Sequence, residues 1–338
     1  RMKSVAIIGA GIAGIEAASK LTKSGIKVYL IENKKEIGGH LLQWDRLFPT
    51  QEKAENVLAD IIGGLSNRAE LFYNTSVQHI EKNGAKFEIT FTNNRSITTD
   101  AVLISTGFDT FNARRKEEYG FGIYDNVITS THLEEMFKKR KVLCADGREP
   151  KRVAFIHCVG SRDEKVGNNY CSKVCCVTAV KQASEIKQMY PEAEVYNFYM
   201  DLRMFDRQFE DMYHEAQSKY NVQFVRGRLS EAAETKDGRL LIKAEDTLLG
   251  KPLRLTVDML VLMVGVEPCG SSNLLAKKLG IELGSDRFFN GQNAYDMRNH
   301  TNTQGLFLAG TCTGPKTIPE TLADARAAAA EVFSYLMS

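Results

Sequence analysis

The sequence predicts an α/β protein with two parallel-sheet units, the first of which is split around the second. Three observations lead to this prediction. Near the amino end, a short apolar run, Val5–Ile8, is followed by a glycine-rich turn and an amphipathic segment. At Lys151–Asp163 the pattern K-x-V-A-x-I that opens this region appears again. Near the carboxyl end, a strand-like run, Gly305–Ala309, leads through a turn to an alanine-rich helix from about Ile318.

The composition is that of an ordinary globular protein and argues against several functional classes. Of the 338 residues, 43% are hydrophobic and 25% are charged. The 44 Lys and Arg residues nearly balance the 42 Asp and Glu residues, so the net charge of +2 gives no strong field for nucleic acid or anionic membranes. The longest strongly apolar run, Met259–Val266, is too short to cross a bilayer. No secretory signal pattern is visible, so we expect a cytoplasmic protein without direct membrane insertion.

A glycine-rich turn marks the first unit as a nucleotide site. Gly9, Gly11 and Gly14 follow the first strand in the spacing G-x-G-x-x-G. In this pattern the first glycine makes the tight turn, the second lets the backbone approach a pyrophosphate, and the third lets the helix pack closely on the strand. The next strand ends in Glu32, 23 residues after Gly9, where an acid holds ribose hydroxyls. This order of elements predicts a Rossmann-like dinucleotide-binding domain.

The central segment repeats this frame but changes its phosphate-binding turn. Aligned on the shared strand, His157, Val159 and Arg162 replace the three glycines. A side chain at the second position blocks the close approach that a pyrophosphate needs. The turn has gained Cys158, while the following strand still ends in an acid, Asp201. We therefore expect a second Rossmann-like domain whose nucleotide loop has been rebuilt.

Four of the seven cysteines lie within nineteen residues at this rebuilt turn, in the spacing Cys-x12-Cys-x3-Cys-Cys. Four interpretations are open: packing as small hydrophobic groups, a vicinal disulfide, a zinc site, and a [4Fe–4S] cluster. The spacing favours the cluster, because four thiolates can wrap its cube and the following helix, Val177–Met189, points its positive end toward them. The four candidate ligands are Cys158, Cys171, Cys175 and Cys176.

The chain resembles the A-type subunit of heterodisulfide reductase and its relatives, which are iron–sulfur flavoproteins with a thioredoxin-reductase-like fold. The likeness is carried by the cysteine spacing and by "VLISTGF" (Val102–Phe108), "IGGHLLQWDRLFPT" (Ile37–Thr50) and "AGTCTGPKTIPETLADARAAA". No Cys-x2-Cys-x2-Cys run occurs in the sequence, so we expect the short form without ferredoxin modules. That form resembles the flavoprotein of the lipoate-linked heterodisulfide reductase-like complex of sulfur-oxidising bacteria.

The resemblance implies a domain arrangement and a set of cofactors. It implies two dinucleotide-binding (Rossmann-like) domains of the thioredoxin reductase type. The FAD-binding domain, residues 1–112 and 267–338, is split around a central NAD-domain-like module, residues 113–266, that carries the iron–sulfur site. The expected cofactors are FAD and a [4Fe–4S] cluster, with NAD(H) as a candidate substrate.

The same resemblance names further residues at the flavin site. It places Lys316 against the isoalloxazine ring, where a positive charge stabilises the anionic reduced flavin, and makes it the candidate catalytic residue. Thr311 stands where the family has an Asp. Beyond the glycine motif and Glu32, the expected cofactor-binding residues are Gly38, Gly39, Thr106, Gly107, Gly310, Thr311, Lys316, Thr317 and Ile318.

The function that the resemblance implies is electron transfer within a cytoplasmic complex. Electrons would pass between sulfur-substrate subunits and NAD or another carrier. The implied partners are heterodisulfide reductase-like B and C subunits and a second copy of the chain, without nucleic acid. Two alternatives remain open. One is the related A-type flavoprotein of the quinone-interacting membrane-bound oxidoreductase complex, and the other is a stand-alone NAD(P)H-dependent disulfide reductase.

Overall fold

The computed structural model describes residues 2–338 and divides them into two compact units. The first unit comprises residues up to 42, then 55–109 and 267–338, and the second comprises 43–54 and 110–266. Helix and sheet composition confirms the α/β fold class, since each unit is built on a five-stranded parallel sheet.

The sequence-based boundaries placed residues 43–54 in the first domain, whereas the structure groups this segment with the second unit. Hydrogen bonds explain the difference. The buried Lys181 ammonium donates to the Arg46 carbonyl at 2.7 Å, and the Asp45 N–H donates to the Glu134 carboxylate at 2.9 Å. Such long-range contacts leave no local mark in the sequence.

The sheet of the first unit places the glycine-rich turn at its carboxyl edge. Its strands pair in parallel, and the strand Ala101–Ile104 is buried throughout, as expected for a strand covered on both faces. In sheet order the strands are Leu306–Leu308, Ala101–Ile104, Ser4–Ile8, Lys27–Ile31 and Ala69–Phe72. The helices of this part of the chain are Ile12–Lys23, Ala54–Gly63, Ser272–Leu279 and Ile318–Met337.

The second unit repeats this design around the wholly buried strand Met259–Val264. Its parallel strands, in sheet order, are Val127–Thr129, Met259–Val264, Arg152–Val159, Glu194–Tyr199 and Gln223–Arg226. Its helices are Ser130–Lys138, Cys175–Met189 and Phe209–Ser218.

Each unit also carries a three-stranded antiparallel meander. In the first unit the strands are Val77–Asn83, Lys86–Phe91 and Ser96–Thr99; in the second they are Leu229–Glu234, Leu240–Asp246 and Lys251–Val257. The second meander, with its turn at residues 236–238, is the one predicted from alternating hydrophobicity. Short strands lie at Arg46–Leu47, Glu52–Lys53, Phe108–Thr110 and Val266–Pro268.

Among residues 2–338, no helix combines the length and the apolar character needed to cross a lipid bilayer.

Candidate cofactor sites

The glycine-rich turn of the first unit is shaped by the absence of side chains. Gly9 has φ +106°, which disfavours L side chains, and a Cβ there would collide with the Ser105 carbonyl. A Cβ on Gly14 would overlap the Gly9 carbonyl oxygen. Nothing lies within 4 Å of the position that a Cβ on Gly11 would occupy. The turn therefore packs tightly toward the sheet and stays open on the side of Gly11.

Glu32 fixes this turn from the next strand. Its side chain is 7% exposed, and its two carboxylate oxygens accept the N–H groups of Ala10 at 3.0 Å and Lys34 at 2.9 Å. The acid that the sequence assigned to ribose hydroxyls thus lies directly beside the second residue of the glycine motif.

The loop of Gly38 and Gly39 lies against the same turn. The Gly38 N–H donates to the Ala10 carbonyl at 2.8 Å. A Cβ on Gly39 would come within 3.1 Å of the Gly11 Cα. The structure therefore brings these two predicted residues to the glycine motif.

Thr106 and Gly107 follow the neighbouring strand at the same edge of the sheet. The Ser105 hydroxyl donates to the Gly9 carbonyl at 2.9 Å and links the two segments. The Thr106 hydroxyl is buried and has no hydrogen-bond partner in the described chain. A buried hydroxyl without a partner costs free energy, which a bound polar group would recover. This observation fits a cofactor at this edge.

The turn Gly310–Thr313 completes the edge and contains an acid that the sequence analysis missed. Thr311 occupies the position where the family has Asp, but the carboxylate of Asp324 reaches the turn from the C-terminal helix. It accepts the Gly310 N–H at 2.7 Å and the Asn299 side-chain amide at 2.9 Å. Asp324 lies inside an alanine-rich helical segment, and no spacing rule marks it as a partner of this turn.

The C-terminal helix begins at this site with a capping box. The Thr317 hydroxyl accepts the Glu320 N–H at 3.4 Å, and the Glu320 carboxylate accepts the Thr317 N–H at 2.9 Å. Ile318 is the first helical residue, as predicted. Just before it, the Lys316 ammonium donates to the Thr313 hydroxyl at 2.7 Å, and burial lowers its pKa.

The corresponding turn of the second unit has a different backbone. The strand Arg152–Val159 is longer than its counterpart and its pairing shifts register between Ile156 and Val159. Cys158 lies within this irregularity at φ +58°, a strained conformation for a residue with a side chain. The helix begins only at Cys175, so the residues between the two ends form a loop.

Buried polar side chains hold this loop in place. Asp163, 3% exposed, accepts a hydrogen bond from the Lys116 ammonium at 2.8 Å and pairs with Arg228 at 3.1 Å. The Asn168 amide donates to the Gly160 carbonyl at 2.9 Å. The hydroxyl of Ser172 accepts the Val266 N–H at 2.8 Å. The loop is therefore an ordered part of the unit, and its ends bring separate cysteines together.

The four predicted cysteine ligands line one cavity. Its volume is about 10 Å³, roughly the space of one water molecule, so any larger group requires the thiol side chains to turn outward. Among residues 2–338, no three His, Cys, Asp or Glu side chains are arranged to hold a single metal ion. The thiols thus surround a space and do not converge on one point. The cavity is lined by Cys158, Cys171, Cys175, Cys176, Arg162, Ser172, Lys173, Asp201 and Arg203.

The electrostatics of this cavity suit an anionic occupant with cationic iron. Burial raises the pKa of Cys158 to about 12, and the neighbouring Cys176 and Cys171 add to the shift. Burial also raises the pKa of Cys175 and Cys176. Such thiols ionise only when a positive centre compensates the charge. Number, kind and surroundings of the donors therefore fit an iron–sulfur cluster.

The acid that remains from the nucleotide-binding pattern is already paired. The Asp201 carboxylate accepts a hydrogen bond from the Arg162 guanidinium at 2.8 Å, and Arg226 lies 3.5 Å from its other oxygen. Arg162 is the residue that replaces the third glycine. The side chain that displaces the nucleotide loop thus also engages the acid that would hold a ribose.

His157, next to Cys158, is a neutral structural histidine. Burial lowers its pKa to about 4, and its Nε2 lies 2.8 Å from the Asn197 side-chain oxygen. It is oriented by the neighbouring strand and is no part of the cavity lining.

Comparison with known proteins gives a family, several relatives and a fold. The family described as pyridine nucleotide-disulphide oxidoreductase matches residues 3–329. The chain is 34% identical to the A-type iron-sulfur subunit of the CoB–CoM heterodisulfide reductase of Methanocaldococcus jannaschii, over 98% of this chain and 64% of that protein. It is 33% identical to the A-type subunit of the H2/formate:CoB-CoM heterodisulfide,ferredoxin reductase of Methanococcus maripaludis, with the same coverage.

These relatives are longer than the present chain, which spans about 64% of their length. Each alignment runs over 420 positions, more than the 338 residues of the chain, so the relatives contain internal residues without a counterpart here.

Among solved structures, the fold is similar to two thioredoxin reductases. For that of T. acidophilum the TM-score is 0.69 at 19% identity, covering 99% of this chain and 100% of the other. For that of Lactococcus lactis the TM-score is 0.70 at 19% identity, covering 99% of each chain. These likenesses confirm the predicted thioredoxin-reductase-like fold.

Proposed function

The chain belongs to the pyridine nucleotide-disulphide oxidoreductase family, and we propose that it is an electron-transfer flavoprotein of a heterodisulfide reductase-like complex. The observation that carries the proposal is the cavity lined by Cys158, Cys171, Cys175 and Cys176. It lies where the second nucleotide-binding turn of such an oxidoreductase would be. The names of the relatives, which include a heterodisulfide reductase iron-sulfur subunit, support the same function.

The first unit would hold FAD at the carboxyl edge of its sheet. The open space beside Gly11 suits a pyrophosphate, and the capped helix starting at Ile318 presents free N–H groups. The unpartnered Thr106 hydroxyl and the Lys316 ammonium lie on segments of this edge. Lys316 would stabilise negative charge on the reduced cofactor.

The second unit would hold a [4Fe–4S] cluster on its four cysteines. Bound FAD exchanges electrons in pairs or singly, and a cluster carries one at a time. The chain's own contribution is to desolvate the thiols, to surround them with Arg162, Lys173 and Arg203, and to fix the loop between them. The helix at Cys175 begins without a side-chain cap, which leaves its first N–H groups available to an anion.

The proposed assembly follows from the names of the relatives. As an A-type component, the protein would work in a cytoplasmic complex with B and C subunits and a second copy of itself. It would pass electrons between sulfur-substrate subunits and NAD or another carrier.

Anaerobic purification with iron, sulfide and flavin analysis tests this proposal. We expect one FAD and a four-iron cluster per chain. Cys175→Ala should lose the iron, because it removes one of the lining thiols. Cys144→Ala is the matched control: Cys144 is a buried cysteine of the same unit outside the cavity, and its removal should leave the iron content unchanged. Equal iron in both variants would contradict the cluster assignment.

An NADH titration separates this function from a stand-alone NAD(P)H-dependent disulfide reductase. The pairing of Asp201 with Arg162 predicts slow flavin reduction by NADH in the absence of partner subunits. Rapid reduction of an iron-free protein would support the reductase instead.

A further inference from the structure

Arg162 is placed unlike any other cation at the cysteine cavity. Its backbone is in the left-handed region at φ +51°, in the turn that links the strand to the loop. Its guanidinium lines the cavity, and one terminal nitrogen donates to Asp201 at 2.8 Å. The other terminal nitrogen is buried and has no hydrogen-bond partner in the described chain.

Both features cost free energy unless something compensates them. A left-handed backbone at a residue with a side chain costs about 1–3 kcal/mol. A buried charged donor without an acceptor costs at least as much as a buried neutral one, about 1–3 kcal/mol. An anionic sulfur in the cavity supplies the missing acceptor. The charge of Arg162 acts on Cys158 and Cys176, which border the same space.

We propose that Arg162 is a positioning residue of the cysteine site: its free guanidinium nitrogen donates to a cysteine sulfur and stabilises the reduced, more negative state of the site. Asp201 orients the guanidinium by holding its other nitrogen. This inference rests on the proposed function and deepens it, because it names the side chain that sets the reduction potential.

The electron balance of this role is simple. One electron from a reductant adds one negative charge to the site, and Arg162 keeps its proton in both states. No proton transfer accompanies the step at this residue. The effect of Arg162 is therefore a fixed favourable charge interaction that is stronger in the reduced state.

A redox titration of the anaerobically purified full chain, monitored by electron paramagnetic resonance with dithionite as reductant, tests the proposal. Arg162→Gln should shift the midpoint potential of the cluster to more negative values. At a fixed potential the ratio of reduced to oxidised site should fall at least tenfold, which corresponds to about 59 mV for one electron. Arg162→Lys, which keeps the charge and loses the fork, should give a smaller shift of the same sign.

Arg226→Gln is the matched control. Arg226 also approaches Asp201, at 3.5 Å, but it does not line the cavity. Its substitution should leave the potential unchanged. If Arg162→Gln with full iron content has the potential of Arg226→Gln, the proposal is overturned while the proposed function stands. If the unmodified protein binds no iron, both fail.

A second measurement covers the case in which Arg162→Gln loses its iron. The metal-free proteins are then compared for the rate at which iodoacetamide alkylates Cys171, the cavity cysteine with partial exposure. Loss of the neighbouring positive charge should slow alkylation severalfold relative to Arg226→Gln. An equal rate in the two variants would overturn the proposal.

Discussion

The two strand-to-helix turns of this protein solve the same geometric problem in opposite ways. In the first unit, the turn at Gly9 to Gly14 is compact because side chains are missing, and the helix starts at Ile12. In the second unit, the turn after Val159 is extended into a loop, and side chains fill the space and pair with one another. The helix there starts at Cys175.

The difference shows how a dinucleotide-binding frame can change its ligand without changing its sheet. Glycines leave room for a diphosphate at the helix N-terminus. Cysteines and charged residues at the same edge replace that room with donors to a different group. Asp201 illustrates the change, because it keeps its position after the strand but accepts a hydrogen bond from Arg162.

The largest effect on the second turn is expected from removing Asp163, which holds its loop. Asp163→Ala deprives the buried Lys116 of one partner, although Lys116 keeps Glu118 at 2.7 Å. We expect a loss of about 3–5 kcal/mol in the free energy of unfolding. Urea unfolding measures it. Asp146→Ala, which removes an exposed ion pair with Arg148, should cost less than about 1 kcal/mol. Similar midpoints for the two variants would contradict this role.

Glu185→Gln tests the buried charges of the second-unit helix. Burial raises the pKa of Glu185 from 4.5 to about 7, and Lys181 opposes the shift. Between these pH values the folded protein retains a proton that the unfolded chain has lost, so stability falls as the pH rises. The variant cannot ionise and should avoid a fall of about 2–3 kcal/mol. Parallel stability curves from pH 4 to 8 would contradict the prediction.

Gly14→Ala disturbs the first turn, where a Cβ would overlap the Gly9 carbonyl oxygen. Because the obstacle is backbone, we expect a loss of about 1–3 kcal/mol or more. Gly11→Ala is the control, since its Cβ enters open space. Thermal unfolding of the flavin-free proteins should separate the two, and equal destabilisation would show that tight packing at Gly14 does not stabilise the turn.

The smallest effect is expected at the cap of the C-terminal helix. Thr317→Ala removes the side-chain acceptor of the capping box and should cost about 1 kcal/mol, whereas Thr317→Ser should retain it. The second-unit helix begins at Val174 without a side-chain cap, so Val174→Ala should show no loss of this kind. Denaturant midpoints measure all three, and a neutral Thr317→Ala would contradict the capping role.

Much of the frame was accessible from the sequence because it depends on local pattern. The strand ending before Gly9, the helix beginning at Ile318 and the second meander follow from hydrophobic periodicity and turn residues. The pairing of Lys116 with Asp163, 47 residues apart, has no local signature. The same holds for Asp324, whose carboxylate meets Gly310 only because the C-terminal helix folds back over the turn.

The order of residues is enough to specify the two parallel-sheet units and the set of cysteines at the second turn. Backbone approach and strand burial depend on which side chains are small or apolar, and both properties can be read along the chain. The common cavity of the four thiols and the pairing of Arg162 with Asp201 emerge only in three dimensions. The partners of charges and thiols are set by distances in space, because Coulomb energies and desolvation depend on where distant segments meet.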